Sequence, residues 1–187
     1  MTPPELLQRI EKLFQEQGSA EYHGEAVTQL EHALQAATLA ERDGRSASWI
    51  VAALLHDIGH LLQAYGESCA DRGIDDQHEL LGVRFLARAF APDITEPIRL
   101  HVAAKRYLCQ SRPKYASQLS PASLRSLELQ GGPMTEAEAQ AFESNPYFEA
   151  ALAIREYDDQ AKIVGGQTPP FTHFRPYLET ALRGQTD

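Results

Sequence analysis

Trp49-Ile50-Val51-Ala52-Ala53-Leu54-Leu55-His56-Asp57-Ile58-Gly59-His60 decides the reading of this chain. Seven apolar residues run without a break into an imidazole and a carboxylate. The run has no alternation of polar and apolar positions, so it reads as a very apolar helix, opened by Ser46, that delivers His56 and Asp57 at its end. Imidazole nitrogen suits zinc, iron, nickel or copper, and carboxylate suits harder ions. One carboxylate can also bridge two metals with its two oxygens. A His-Asp pair alone is common, so its weight depends on what the rest of the chain brings.

Outward from this stretch the chain reads as helices joined by punctuated turns. Thr2-Pro3-Pro4-Glu5 is a capping box with proline at the first helical position, followed by Leu6, Leu7, Ile10 and Phe14. A second helix is expected from about Glu25 to Arg42, ended by Asp43-Gly44. Gly66 to Asp76 is polar and reads as a loop before a helix near Gln77 to Phe90. Thr95-Glu96-Pro97 is expected to start the helix carrying His101, with loop from Gln110 to Tyr115. Ser120-Pro121 begins a short helix, and Thr135-Glu136-Ala137-Glu138 is another capping box. Asn145-Pro146 leads into the helix of Arg155 and Asp158, and Thr168-Pro169-Pro170 precedes a last helix ending near Arg183. No β-rich alternating run appears, so the expected class is all-α.

Composition bounds the function. The 187 residues suit one domain, 1–187, and 43% hydrophobic with 23% charged residues is ordinary for a soluble globular protein. A net charge of -9 argues against a nucleic-acid partner, which needs a basic face. Cys69 and Cys109 lack a metal-type spacing. No apolar run reaches membrane-spanning length and no charged-then-apolar signal opens the chain, so a cytoplasmic protein with no membrane partner is expected.

His32, His78 and His101 each lie beside an apolar stripe, where one histidine taken alone is an ordinary buried side chain. Together with His56-Asp57 and Asp158 they place such groups on separate helices of one small core. Buried imidazole and carboxylate are costly unless paired or metal-bound, and helix bundles build metal sites from facing helices. One shared ion site explains them better than separate coincidences. His23 and His173 stay outside the site, since turn and capping roles suffice. Lys105, four residues after His101, and Arg155, three before Asp158, share faces with candidate ligands and can meet an anion.

The pattern His32, His56-Asp57, His78, His101, Asp158 resembles the HD-domain superfamily of metal-dependent proteins, an α-helical bundle with a buried metal site whose members are often phosphohydrolases. Three segments resemble one family within it: Glu25 to Gln35, Ala53 to His60, and His101-Val102-Ala103-Ala104-Lys105-Arg106-Tyr107-Leu108. With Ser126 to Gly132 and Arg155-Glu156-Tyr157-Asp158-Asp159, they are similar to the di-iron 2-amino-1-hydroxyethylphosphonate dioxygenase family, relatives of myo-inositol oxygenase. The likeness runs from about Tyr22 to the last helix.

That resemblance implies cleavage of the carbon–phosphorus bond of (R)-2-amino-1-hydroxyethylphosphonate by O2, giving glycine and phosphate. It implies two Fe ions as a mixed-valent Fe(II)/Fe(III) pair. His32, His56, Asp57 and Asp158 would hold one, His78 and His101 the other, with Asp57 bridging. Lys105, Arg155, Ser123 and Gln130 would meet the phosphonate. His60, four residues after His56 and so on its face, would orient ligands or touch substrate. Tyr22 and Glu25 would close over the amino end, although Glu25 reads equally as a favourable charge in a helix's first turn. An upstream phosphonate hydroxylase would supply the substrate. Three rivals stand beside this: an N-trimethylated substrate giving glycine betaine, a metal-dependent phosphohydrolase, and a non-catalytic HD-like module that keeps metal for stability.

Overall fold

The computed structural model describes residues 2–22, 24–62 and 73–183. His23, Cys69 and the part of the expected loop from Gly66 to residue 72 lie outside them. Among the described residues the chain forms ten α-helices and one hairpin. The helices are α1 (Pro3–Gln17), α2 (Gln29–Arg42), α3 (Ala47–Leu55), α4 (Ile58–Leu62) and α5 (His78–Leu86). They continue as α6 (Pro92–Ser111), α7 (Pro121–Leu129), α8 (Glu136–Glu143), α9 (Phe148–Gln160) and α10 (Phe171–Arg183). The all-α reading holds, and none of these helices is long and apolar enough to cross a membrane.

The apolar run does become the centre of the molecule. Every residue of α3 from Ile50 to Leu55 is buried, because α2, α6, α9 and α10 all pack on it. Alanines make the α2 contact close: Ala33, Ala36, Ala37 and Ala40 on α2 are buried with Ala52 and Ala53 on α3. Large side chains from α1, α6, α9 and α10, among them Ile10, Ile98, Ile154 and Phe174, complete this core. Hydrophobic burial of this kind sets the helix arrangement, and the polar groups of the site must fit within it.

Four boundaries differ from expectation. Antiparallel strands β1 (Glu21–Tyr22) and β2 (Glu25–Thr28) replace the first turn expected of the second helix, with Gly24 at φ 75° in the turn. The helix starts four residues later because Thr28 caps it: its hydroxyl accepts from the Glu31 amide while Glu31 reaches back to the Thr28 amide. Glu25 is therefore a strand residue, and its reading as a helix first-turn charge is wrong. α5 ends at Leu86 rather than Phe90.

α6 starts at Pro92, where a proline needs no amide partner, and tolerates Pro97 inside because the carbonyl left without its bond belongs to exposed Asp93. The same helix runs on to Ser111, past the expected loop start at Gln110.

Candidate metal centre

His56 is the C-cap of α3 and Asp57 follows it, so the end of the central helix points this pair into the core. α2 contributes His32, α5 His78, α6 His101 and α9 Asp158, all buried. Two groups within ligand reach result: His32, His56, Asp57 and Asp158, and Asp57, His78 and His101. Asp57 belongs to both. Its Oδ2 lies 3.4 Å from His56 Nε2 and 3.6 Å from His32 Nε2, while Oδ1 lies 3.3 Å from His78 Nε2 and 3.5 Å from His101 Nε2.

The protonation pattern fits metal ions. Carbonyl oxygens of Ala161, Ala53 and Ile98 lie 2.9, 2.8 and 2.7 Å from Nδ1 of His32, His56 and His101. A carbonyl only accepts, so each Nδ1–H donates and a neutral ring turns an Nε2 lone pair inward. Burial pushes His32 down to about 4 and His101 down to about 3, which keeps both rings neutral.

Yet Nε2 of His32 sits 3.1 Å from Nε2 of His56, and Nε2 of His78 sits 3.1 Å from Nε2 of His101. Facing lone pairs at that distance repel unless a cation lies among them. Burial opposes charge on His78, but the Asp57 carboxylate 3.3 Å away and the hydrogen bond to Asp76 overcome it and push this ring up, so the surroundings favour a positive charge there. Asp57 Oδ1 is buried without a hydrogen-bond partner. Each of the two groups could hold a metal ion, and Asp57 is common to both.

Around these groups opens a cavity of about 370 Å³. Lys105 lies on its wall, 3% exposed, and its Nζ donates to Ser126 Oγ at 2.7 Å. Burial, joined by repulsion from Arg155 and Lys162, pushes the Lys105 ammonium down to about 7. Ser123 and Gln130 line the same cavity, and Gln130 Oε1 is buried without a partner.

Arg155 also lies on the cavity wall, where it makes pairs within the chain. Nη1 donates to Asp158 at 2.7 Å, Nη2 to Asp159, and Nε to the Tyr115 hydroxyl at 2.9 Å. Its fork holds Asp158 and Asp159 in place while the residue lines the cavity wall.

Tyr22 also turns inward. Its hydroxyl donates to Asp57 Oδ2 at 2.8 Å and Asp158 Oδ1 at 3.3 Å, and its ring stacks on His32 at 3.8 Å. Glu25 lines the cavity from β2. His60 does not share a face with His56, because the helix breaks between them and His60 belongs to α4. Instead it stacks on His78 at 4.0 Å, with Nδ1 donating to Asp76 Oδ2 at 2.9 Å. Asp76 Oδ1 accepts from His78 Nδ1 at 2.9 Å, so one carboxylate orients both rings. His173 pairs with Glu41, apart from the site, as expected.

Sequence reasoning missed Asp76, Ser126 and Lys162. Asp76 fell in a stretch read as polar loop. Lys162 stands four residues after Asp158, the same spacing from a candidate ligand that drew attention to Lys105.

The HD domain family matches residues 30–138. The chain is 44% identical over 174 residues to the 1-hydroxy-2-(trimethylamino)ethyl phosphonate dioxygenase (glycine-betaine-forming) of Leisingera caerulea, across 93% of this chain and 89% of that protein. It is 46% identical over 182 residues to the hydroxymethylphosphonate dioxygenase of Gimesia maris, across 97% and 90%. An uncharacterized protein of Acanthamoeba polyphaga mimivirus is 40% identical over 181 residues, across 95% and 82%.

Proposed function

Because the chain belongs to the HD-domain phosphonate dioxygenases, we propose that it cleaves the carbon–phosphorus bond of (R)-2-amino-1-hydroxyethylphosphonate with O2, giving glycine and phosphate. The observation that favours an aminoalkylphosphonate over hydroxymethylphosphonate is the mixed charge of the cavity. Glu25 and Asp75 bring carboxylates from β2 and the segment before α5, and Lys105 and Lys162 bring ammonium groups from α6 and the segment after α9. A small zwitterion matches both signs; a phosphonate without an amine leaves the carboxylates unanswered.

His32, His56, Asp57 and Asp158 would hold one iron and His78 with His101 the other, bridged by Asp57, as a mixed-valent Fe(II)/Fe(III) pair. Bound iron would supply the activation of dioxygen that the amino-acid side chains cannot. Everything else falls to the chain's own groups. Lys105 and the serine hydroxyls of α7 bind the phosphonate, and Glu25 pairs with the ammonium. His60 is lowered by burial and by His78, so its ring is neutral; with Nδ1–H given to Asp76, Nε2 takes the proton of the C1 hydroxyl. Dioxygen is the sole oxidant, with one oxygen atom added to the carboxylate and one to the phosphate. The C1 hydroxyl must be installed beforehand, so a hydroxylation of the parent phosphonate precedes this step.

Turnover of three synthetic substrates tests the reading. The primary amine is expected to show the highest kcat/KM, ahead of the N-trimethylated compound and hydroxymethylphosphonate; a higher value for either of those overturns the choice. Removing oxygen is expected to stop phosphate release completely. Release that continues anaerobically would instead mark a hydrolase, in which the metals activate water.

Lys105 gives a pH signature. Its ammonium is present in the free protein below about 7 and lost above, and a doubly charged phosphonate needs it. Relative to Lys105→Arg, which stays charged, inhibition by methylphosphonate is expected to weaken as pH rises through 7, approaching about tenfold per unit. A ratio of inhibition constants that stays flat from about pH 6 to 9 would remove Lys105 from the anion site.

A further inference from the structure

We propose that Lys162 is a phosphonate-binding residue working beside Lys105, an inference that rests on the phosphonate reading of the cavity. Arg155 lines the cavity, but Nε, Nη1 and Nη2 already donate to Tyr115, Asp158 and Asp159, which leaves one hydrogen on each Nη for an anion. A doubly charged phosphonate there calls for further cations whose donors face the cavity.

Lys162 has that placement. It lines the cavity, and its Nζ donates to Ser123 Oγ at 3.3 Å, just as Lys105 Nζ donates to Ser126 Oγ at 2.7 Å. Ser123 and Ser126 are three residues apart on α7, hence neighbours on one face. Two ammonium groups thus sit on two neighbouring hydroxyls; the Ser126 hydroxyl donates to the Ser123 carbonyl at 3.1 Å, which leaves the two ammonium groups and the Ser123 hydroxyl for the three oxygens of one phosphonate. The arrangement brings like charges together in a buried space, which is costly until an anion lies between them. Asp158 answers Lys162 only loosely, with Oδ1 at 3.7 Å, beyond hydrogen-bonding distance.

The backbone around Lys162 is held as a ligand-binding residue's would be. On one side the Ala161 carbonyl accepts from His32 Nδ1 at 2.9 Å. On the other, Gln35 clamps Ile163, its Nε2 donating to the carbonyl and its Oε1 accepting from the amide, both at 2.9 Å. His32 and Gln35 lie one turn apart on α2, so the helix that offers a candidate metal ligand also sets where Lys162 stands. The alternative role, a counter-charge that merely steadies Asp158, makes a different prediction.

Methylphosphonate, which lacks the C1 hydroxyl and is not turned over, separates the two by calorimetric titration of metal-loaded protein. Lys162→Met and Lys162→Gln are expected to bind it about 10- to 100-fold more weakly than wild type, with Lys162→Arg in between and metal content unchanged. Neutral variants that bind as tightly as wild type overturn the inference. So do neutral variants that both lose metal, since Lys162 then serves Asp158. Wild-type protein that fails to bind methylphosphonate removes the phosphonate reading itself, and this inference with it.

Discussion

Asp57→Ala is expected to strip metal from both groups at once and to abolish turnover. The reason lies in the two oxygens of one side chain. Oδ2 faces His32 and His56, and Oδ1 faces His78 and His101, with none of the four Nε2 atoms more than 3.6 Å away. Loss of any histidine would weaken one group, whereas loss of Asp57 takes a donor from each and removes the charge that holds two cations close together. Changes to residues that only orient ligands cost about 10–100-fold. Removing the shared ligand should cost about 1000-fold or more in kcat/KM. Elemental analysis should fall from about two metals per chain to near none, with helical content by circular dichroism preserved because the apolar core around α3 is untouched. A variant that keeps two metals and full activity would overturn the bridging assignment.

Gly59→Ala should damage the same motif by packing alone. A Cβ at position 59 would lie 1.9 Å from the His78 carbonyl oxygen and 2.6 Å from its carbon, so the obstacle is backbone and cannot rotate away. α4 and α5 would have to separate, and α5 carries His78 at its first residue. A loss of about 3 kcal/mol is expected, a fall in Tm of roughly 6–12 °C for a chain of this size. Metal content should fall with it, through displacement of His78. Gly82→Ala is the control across the same contact. Its Cβ would meet Ile58 Cγ2 at 3.4 Å and the Gly59 amide nitrogen at 3.5 Å, ordinary packing distances, and Ala favours a helix interior. Equal melting temperatures for Gly59→Ala and wild type would show that the helix contact is looser than drawn.

The two substitutions explain why some of this protein is legible in its sequence. Helix identity follows from local chemistry: capping boxes at Thr2 and Thr135 are spelled out within four residues, and the apolar run of α3 has only one place to go. The hairpin was not legible, because strands of two and four residues carry too little alternation to register, and its short pairing displaced the start of α2. Gly59 carries no local signal either. Its necessity comes from His78, which approaches from another helix.

The candidate site divides in the same way. Spacing and resemblance single out His32, His56, Asp57, His78, His101 and Asp158, and the fold does bring them together. Side-chain direction was another matter. Helical spacing misplaced His60, because a break after α3 cancels the rule that residues four apart share a face. Arg155, expected to grip an anion, lines the cavity and also pairs with Asp158 and Asp159, since a buried guanidinium beside two carboxylates pairs with them first.

By itself the sequence determined the helical class, the ends of most helices and the inventory of imidazoles and carboxylates, because each depends on residues close along the chain. Only the tertiary structure decided which nitrogen of His32 faces inward, which oxygen of Asp57 serves which group, and that Asp76 and Lys162 belong to the cavity at all. Local carbonyls orient His56 and His101, but other outcomes depend on partners far along the chain, such as Ala161 for His32 and Asp158 for Tyr22. A hydrogen bond or a shared ion takes its direction from both partners, and only packing brings the second one into place.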